Sequence, residues 1–174
     1  MDNVKLKGTD LNVSRLCFGT MTFGGQVDGA GARAMVDRCL EAGINFFDTA
    51  NVYTDGASET LLGQVLKGRR NNVVLASKVG MKGKGVPAER RLAKEAMLQG
   101  IEDSLRRLQT DYLDIYYLHL PDYSVPLEES LEAMEEIVQQ GKVRYPACSN
   151  YASWQMTRMG SLAEKNRYRP VKLA

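Results

Sequence analysis

The chain has 174 residues, 44% of them hydrophobic and 25% charged, a balance that fits one globular domain with a core of its own. Its 23 Lys and Arg stand against 21 Asp and Glu, and the formal net charge of +2 sets up no field that would select nucleic acid. The N-terminus has no apolar run of signal-peptide length, and no uncharged stretch reaches the roughly 18 residues of a membrane span, so a cytoplasmic protein without membrane contact is expected. Cys17, Cys39 and Cys148 are odd in number and widely spaced, which fits reduced core thiols rather than a disulfide framework. A lone histidine, His119, without paired cysteines argues against a zinc site, and no metal is expected.

In chain order, Val4-Lys5-Leu6-Lys7 and Leu11-Asn12-Val13-Ser14 flank Gly8-Thr9-Asp10, which predicts a hairpin over 4–14. Leu16 to Thr20 reads as a short strand. A helix from about Ala30 to Ala42 puts Met35, Val36, Cys39 and Leu40 on one face, with Gly43 as its stop. It feeds the run Ile44-Asn45-Phe46-Phe47-Asp48, whose mixed aromatic and β-branched residues suit a strand covered on both faces. The alternation then repeats: a helix near Ser58–Lys67, a strand over Val73–Val79, and a long helix from Pro87 to Leu108 with Pro in its first turn. A strand over Leu113–His119, a helix lined by Leu127, Leu131, Met134 and Val138, a strand over Val143–Ser149, and a helix from about Ser153 to Lys165 follow. Pro170–Ala174 reads as the start of a further strand. Arg90, Arg91, Arg106 and Arg107 are expected on a solvated helix face.

Strict β–α alternation at roughly 30 to 40 residues per unit fits an α/β fold of the partial (β/α)8 TIM-barrel type, with an N-terminal β-hairpin and about five to six parallel strands. A flavodoxin-like doubly wound sheet is the alternative. The hairpin, placed as a lid on a barrel floor, and the succession of distinctive residues at strand ends favour the barrel, where active sites gather at those ends. One domain, 1–174, is expected, with 4–14 as hairpin and 16–174 as successive βα units.

Asp48, Tyr53, Lys78 and His119 come from the tips of three successive strands or just past them, so a barrel would bring them to one mouth. Each alone has an ordinary reading, as a turn acid, a core phenol, a solvated lysine or a structural imidazole. At matching strand ends they form a site for moving a proton. A free phenol has a pKa near 10, and an adjacent ammonium favours its anion. Lys78 is placed to supply the ammonium, and Asp48 to keep that ammonium charged. His119 is placed to donate to an oxygen on which charge develops. The loop Gly80-Met81-Lys82-Gly83-Lys84-Gly85 is not a P-loop, since Val86 stands where a P-loop requires Lys. No G-x-S-x-G elbow supports a serine hydrolase. A glycosidase pairing Asp48 with Asp122 is weaker, because Lys78 at the same mouth would hold Asp48 in an ion pair.

Gly19-Thr20-Met21, Phe47-Asp48-Thr49-Ala50 with Tyr53 and Ser58-Glu59, Ser77-Lys78, Asp111-Tyr112-Leu113-Asp114 with Leu118-His119, Gly141-Lys142-Val143-Arg144-Tyr145, and Ser149-Asn150-Tyr151 together carry a family likeness. In these motifs the sequence resembles the aldo-keto reductases, most closely the bacterial branch related to potassium-channel β-subunits. The resemblance covers nearly the whole chain. It implies an NADP(H)-dependent reductase of aldehydes or ketones, with Tyr53 as general acid, Lys78 and Asp48 as its supports and His119 orienting the carbonyl. It further implies that Ser149 and Asn150 bond the nicotinamide carboxamide, with Gly19, Thr20, Met21 and Asp48 beside the cofactor.

Against that family the chain is short: it ends in what would be the sixth strand, and the residues expected to hold the adenosine phosphates are absent. Open barrel edges in a shortened form predict a homo-oligomer, and a non-catalytic barrel fragment or interaction module is the alternative function. Pro146 in the fifth parallel strand is expected to disturb the approach to Ser149.

Overall fold

A computed structural model describes residues 1–83 and 89–171. An antiparallel hairpin of β1 (Asn3–Lys5) and β2 (Asn12–Ser14) precedes five parallel strands: β3 (Cys17–Gly19), β4 (Phe46–Asp48), β5 (Val74–Val79), β6 (Leu113–Leu118) and β7 (Val143–Cys148). They lie side by side in sequence order, as successive right-handed βαβ units require in a barrel wall, and the doubly wound order, with its reversal, is not seen. The intervening helices are α1 (Gly29–Glu41), α2 (Ala57–Leu66), α3 (Lys94–Leu108) and α4 (Leu127–Gln139), and α5 (Ser153–Asn166) follows β7.

Side-chain parity along each strand divides the core in two. Phe47, Leu75, Val79, Tyr116, Leu118 and Cys148 face outward into the layer shared with the helices. Val74, Ala76, Ile115 and Ala147 face inward and meet Leu11 and Val13 of the hairpin. The hairpin thus closes the N-terminal end of the wall. It is fixed there by Asn45, which accepts from Ser14 N at 2.7 Å and donates to Asn12 O at 3.0 Å, and by Asp10, which accepts from Arg144 and from the Tyr145 hydroxyl.

α1 starts on Asp28, whose carboxylate accepts from Gly31 N, and stops before Gly43, at φ 78°, a left-handed geometry that favours glycine. Its buried stripe is Ala32, Val36 and Cys39, while Met35, expected inward, is exposed. α3 begins at Lys94 rather than near Pro87, which lies outside the described residues. The cause is tertiary. Arg90 adopts φ 56°, its N–H donates to the Ser124 hydroxyl and Leu92 N donates to Asp122, so the segment is tied to the loop after β6 before a helix can form. Arg90 and Arg91 therefore precede the helix, and Arg107 is no solvated arginine, since it pairs with the fully buried Glu59. Cys17 is exposed on the inner face of β3, while Cys39 and Cys148 are buried; all three thiols are free.

Pro146 leaves β7 regular. Backbone N–H groups alternate sides along a strand, and Ser149 N donates toward β6, to Leu118 O, at 2.9 Å. Three residues earlier, the missing N–H of Pro146 points away from β6, so the β6–β7 ladder loses no bond. Val171 lies in no strand, so the described wall has five parallel strands, with β3 and β7 unpaired on their outer sides among the described residues.

At the floor of the wall, Asp114, 2% exposed, accepts from Arg70 at 2.8 Å, Arg144 at 2.7 Å and Leu75 N at 2.9 Å. Asp114→Ala leaves two guanidinium groups and a buried N–H short of an acceptor, and the expected cost is about 3 kcal/mol. The urea midpoint of the variant reports it, and Asp114→Asn, which keeps an acceptor oxygen, should lose less.

Candidate active site

The inward-facing row of each parallel strand leads to the mouth at or just past its C-terminal end. Gly19 follows Cys17, Asp48 follows Phe46, Lys78 follows Ala76, His119 follows Tyr117 and Ser149 follows Ala147, each two residues on and on the same face. Among them Lys78 is the centre. Its Nζ donates to the Asp48 carboxylate, to the Thr49 carbonyl at 2.8 Å and to the Tyr53 hydroxyl at 3.2 Å. An ammonium has three donors and no acceptor, so its hydrogen-bonding capacity is filled. The same Nζ lies 4.8 Å from the Tyr53 ring centroid and 5.9 Å from that of Tyr117, which places the cation against two aromatic faces.

Tyr53 is carried not on a strand but on a 3₁₀ turn, Tyr53–Gly56, between β4 and α2. Thr54 and Asp55 in that turn have φ 51° and 53°. Successive left-handed non-glycine residues cost about 1 to 2 kcal/mol each, so this turn is held by its surroundings. Thr54 donates to Met21 O at 3.2 Å, and the N–H groups of Tyr53 and Asp55 donate to Ala50 O and Val52 O.

His119, 6% exposed, stands edge-on to Tyr53, with ring centroids 5.9 Å apart and an interplanar angle of 81°. Burial, helped by the Lys78 ammonium, pushes its pKa down to about 4, so the ring is neutral at pH 7. Its Nδ1 is buried without a partner among the described residues. A buried N–H lacking an acceptor is the costlier orphan, which assigns the proton to Nε2. Burial also pushes the Asp48 carboxyl above the ordinary carboxylate value, against the opposing pull of the bonded Lys78 ammonium.

The other expected site residues divide. A Cβ on Gly19 would meet nothing within 4 Å, so the wall there is flat and open, and Met21 is 62% exposed at the rim. Ser149 is half-buried and accepts from Asn150 Nδ2 at 3.1 Å, while Asn150, at φ 62°, also donates to the His119 carbonyl at 2.8 Å. The Ser149 hydroxyl proton and Asn150 Oδ1 are thus left over. Thr20 differs: it is fully buried, and its hydroxyl is taken up by Ser58 Oγ and the Asp48 carbonyl, with no face toward the mouth. Asp122 is no partner for Asp48. It staples its own loop, and although burial pushes its carboxyl up, hydrogen bonds from Ser124 and Leu92 outweigh that and hold it low. Sequence reasoning missed Thr49, whose backbone oxygen has no side-chain signature, and Tyr117, which reads as ordinary strand core. A cavity of about 300 Å³ lies apart from Lys78, between the 121–128 segment and the start of α5.

An open mouth with a flat glycine wall, a spare hydroxyl and amide oxygen, and a phenol clamped by an ammonium beside a neutral imidazole form a cluster, at the C-terminal end of a (β/α)-barrel wall, with the groups that can pass a proton to an oxygen held beside them. Comparison with known proteins places the molecule: residues 15–174 match the model of the aldo/keto reductase family, and the chain belongs to that family. It is 40% identical over 179 residues to the uncharacterized oxidoreductase YrpG of Bacillus subtilis, covering 97% of this chain and 55% of that protein. It is 36% identical over 169 residues to a probable voltage-gated potassium channel subunit beta of Oryza sativa, covering 95% of this chain and 51% of that one. The holo-form structure of aldo-keto reductase AKR11C1 from Bacillus halodurans superimposes with a TM-score of 0.79 at 37% identity, covering 98% of this chain and 55% of that chain. The chain therefore spans about half the length of the relatives it matches.

The depressed His119 pKa has a thermodynamic consequence. Between the unfolded value of 6.5 and the folded value of about 4, the unfolded chain binds a proton that the folded chain refuses. The stabilisation is complete above pH 6.5 and is lost as pH falls toward 4, amounting to about 3 kcal/mol at full extent. Urea denaturation at pH 7 and pH 4.5 should show this fall, and His119→Gln should show a shallower one.

Proposed function

We propose that this chain carries the proton-donating side of an NADP(H)-dependent carbonyl reductase that converts aldehydes or ketones to alcohols. The observation that carries the proposal is the Lys78 ammonium bonded to the Tyr53 hydroxyl while Asp48 and the Thr49 carbonyl fix it from behind. With a carbonyl oxygen between Tyr53 and Nε2 of His119, Tyr53 donates the proton and Lys78 stabilises the phenolate left behind. His119, neutral, donates a hydrogen bond to the oxygen as its charge develops. A nicotinamide bound at the mouth would supply the hydride. Gly19, without a side chain, leaves room for the flat ring, and the Ser149 hydroxyl and Asn150 Oδ1 are free to bond its carboxamide. Met21 lies at the rim of the same opening, and Asp48 shapes its floor, with Thr20 buried behind it. NADP(H) rather than NAD(H) is taken from the family resemblance of the sequence.

A second reading is that the chain serves as an interaction module without turnover, in keeping with its likeness over half their length to proteins named as channel subunits. Trp154, 63% exposed in the first turn of α5, separates the two. Saturable quenching by NADPH at micromolar concentration supports the reductase, and none supports the module. We also propose self-association, because β3 and β7 are unpaired on their outer sides among the described residues and the inner face leaves Cys17 exposed and Phe46, Tyr117 and Tyr145 only half-buried. Light scattering should give a mass above that of one chain. No helix among the described residues is long and apolar enough to cross a membrane, and the cytoplasm is the proposed location.

For the mechanism, NADPH oxidation with an aromatic aldehyde should slow about 10²- to 10⁴-fold in Tyr53→Phe. Turnover unchanged by that substitution would refute Tyr53 as the acid.

A further inference from the structure

The first turn of α2 holds two polar residues, Ser58 and Glu59, with no exposed surface. Burying them is costly unless every polar atom is satisfied, and the partners that satisfy them lie beside the Lys78 cluster. Ser58 Oγ donates to the Thr20 carbonyl at 2.7 Å and lies 2.9 Å from the hydroxyls of both Thr20 and Thr49. Its one proton goes to the carbonyl, so it accepts from the Thr49 hydroxyl and shares the Thr20 hydroxyl proton with the Asp48 carbonyl, 3.2 Å from Thr20 Oγ1. Thr20 N donates in turn to the Asp48 carbonyl at 2.9 Å, and Thr49 presents its own carbonyl to Lys78. One serine thus grips the residues on either side of the Asp48–Lys78 pair, at the ends of two neighbouring strands.

Glu59 secures the third strand. Its Oε1 accepts from Ser77 Oγ at 2.5 Å and its Oε2 from Arg107 Nε at 2.7 Å. Ser77 faces outward from β5, so the next residue, Lys78, is turned inward at the same level. The approach of α2 to the strand ends is close: a Cβ on Gly24, at φ 79°, would fall 2.5 Å from Ala57 Cβ. Between this grip and β4 lies the strained turn of Thr54 and Asp55, which a locally loose anchor would let relax.

We propose that the buried pair Ser58–Glu59 is the positioning unit of the active site, holding the Thr49 carbonyl and the β5 level so that the Lys78 ammonium stays on the Tyr53 hydroxyl. Neither residue touches substrate; both act through Thr49, Thr20 and Ser77. The catalytic consequence rests on the reductase reading, but the confinement of Lys78 can be measured without turnover.

The test is site-resolved acylation of the intact chain with acetic anhydride, read by peptide mass spectrometry in wild type, Ser58→Ala, Ser58→Thr and Thr49→Val. Thr49→Val removes one arm of the hub at nearly constant volume and decides the matter even where Ser58→Ala fails to fold. Lys78 should be acylated about fivefold faster or more in Thr49→Val and Ser58→Ala, the factor set by one lost buried hydrogen bond. The exposed Lys5, Lys67 and Lys165 should keep their rates, and Ser58→Thr, which retains the hydroxyl, should stay near wild type. Lys78 reacting at the wild-type rate in Thr49→Val, or all lysines speeding up together, overturns the proposal. In the turnover arm the same two variants should lower kcat with KM unchanged. A wild-type chain without turnover refutes the reductase reading and leaves the acylation result standing on its own.

Discussion

The site depends on one cation with three acceptors. Lys78 is 7% exposed, and an ammonium withdrawn from water is tolerated only when charge and hydrogen bonds replace the solvent. Asp48 supplies the charge, the Thr49 carbonyl a fixed dipole and Tyr53 the third acceptor. Because the first two are held by strand ends, the third bond has a set direction. A phenol that would otherwise be one exposed tyrosine on a strained turn is thereby aimed into the mouth beside a neutral imidazole.

The frame that makes this arrangement is strand parity. Five parallel strands in sequence order point every second residue inward, and the inward residue at or just past each strand's C-terminal end stands at the rim. Gly19, Asp48, Lys78, His119 and Ser149 share that position, contributed by five strands. The opposite end of the wall spends its polar residues on stability. Asp114 there gathers two arginines and a backbone N–H, and Asp10 ties the hairpin to β7.

Much of this was legible in the sequence, and the reason is local. The apolar runs ending in Asp48, Lys78 and His119 mark strands and their tips without knowledge of any distant contact, and the order of the motifs fixes the sheet order. What was hidden depends on partners far along the chain. The start of α3 moved from Pro87 to Lys94 because Leu92 is bonded to Asp122, and Arg107 left the solvent because Glu59 lies buried beneath it. Thr20, expected at the cofactor, turned out to serve Ser58. Pro146 leaves the β6–β7 ladder intact because its missing N–H points away from β6, which register shows and composition does not. Thr49 acts through a backbone oxygen, invisible to any reading of side chains.

The most direct test of this account is nitrogen-15 NMR of lysine-labelled protein at neutral pH, observing the side-chain ammonium protons. An exposed ammonium exchanges with water too fast to be seen, whereas Lys78, held by three acceptors, should give a protected signal that vanishes in Asp48→Asn and persists in Tyr53→Phe. A wild-type spectrum in which the Lys78 ammonium exchanges like the surface lysines would contradict the clamp on which the site is built.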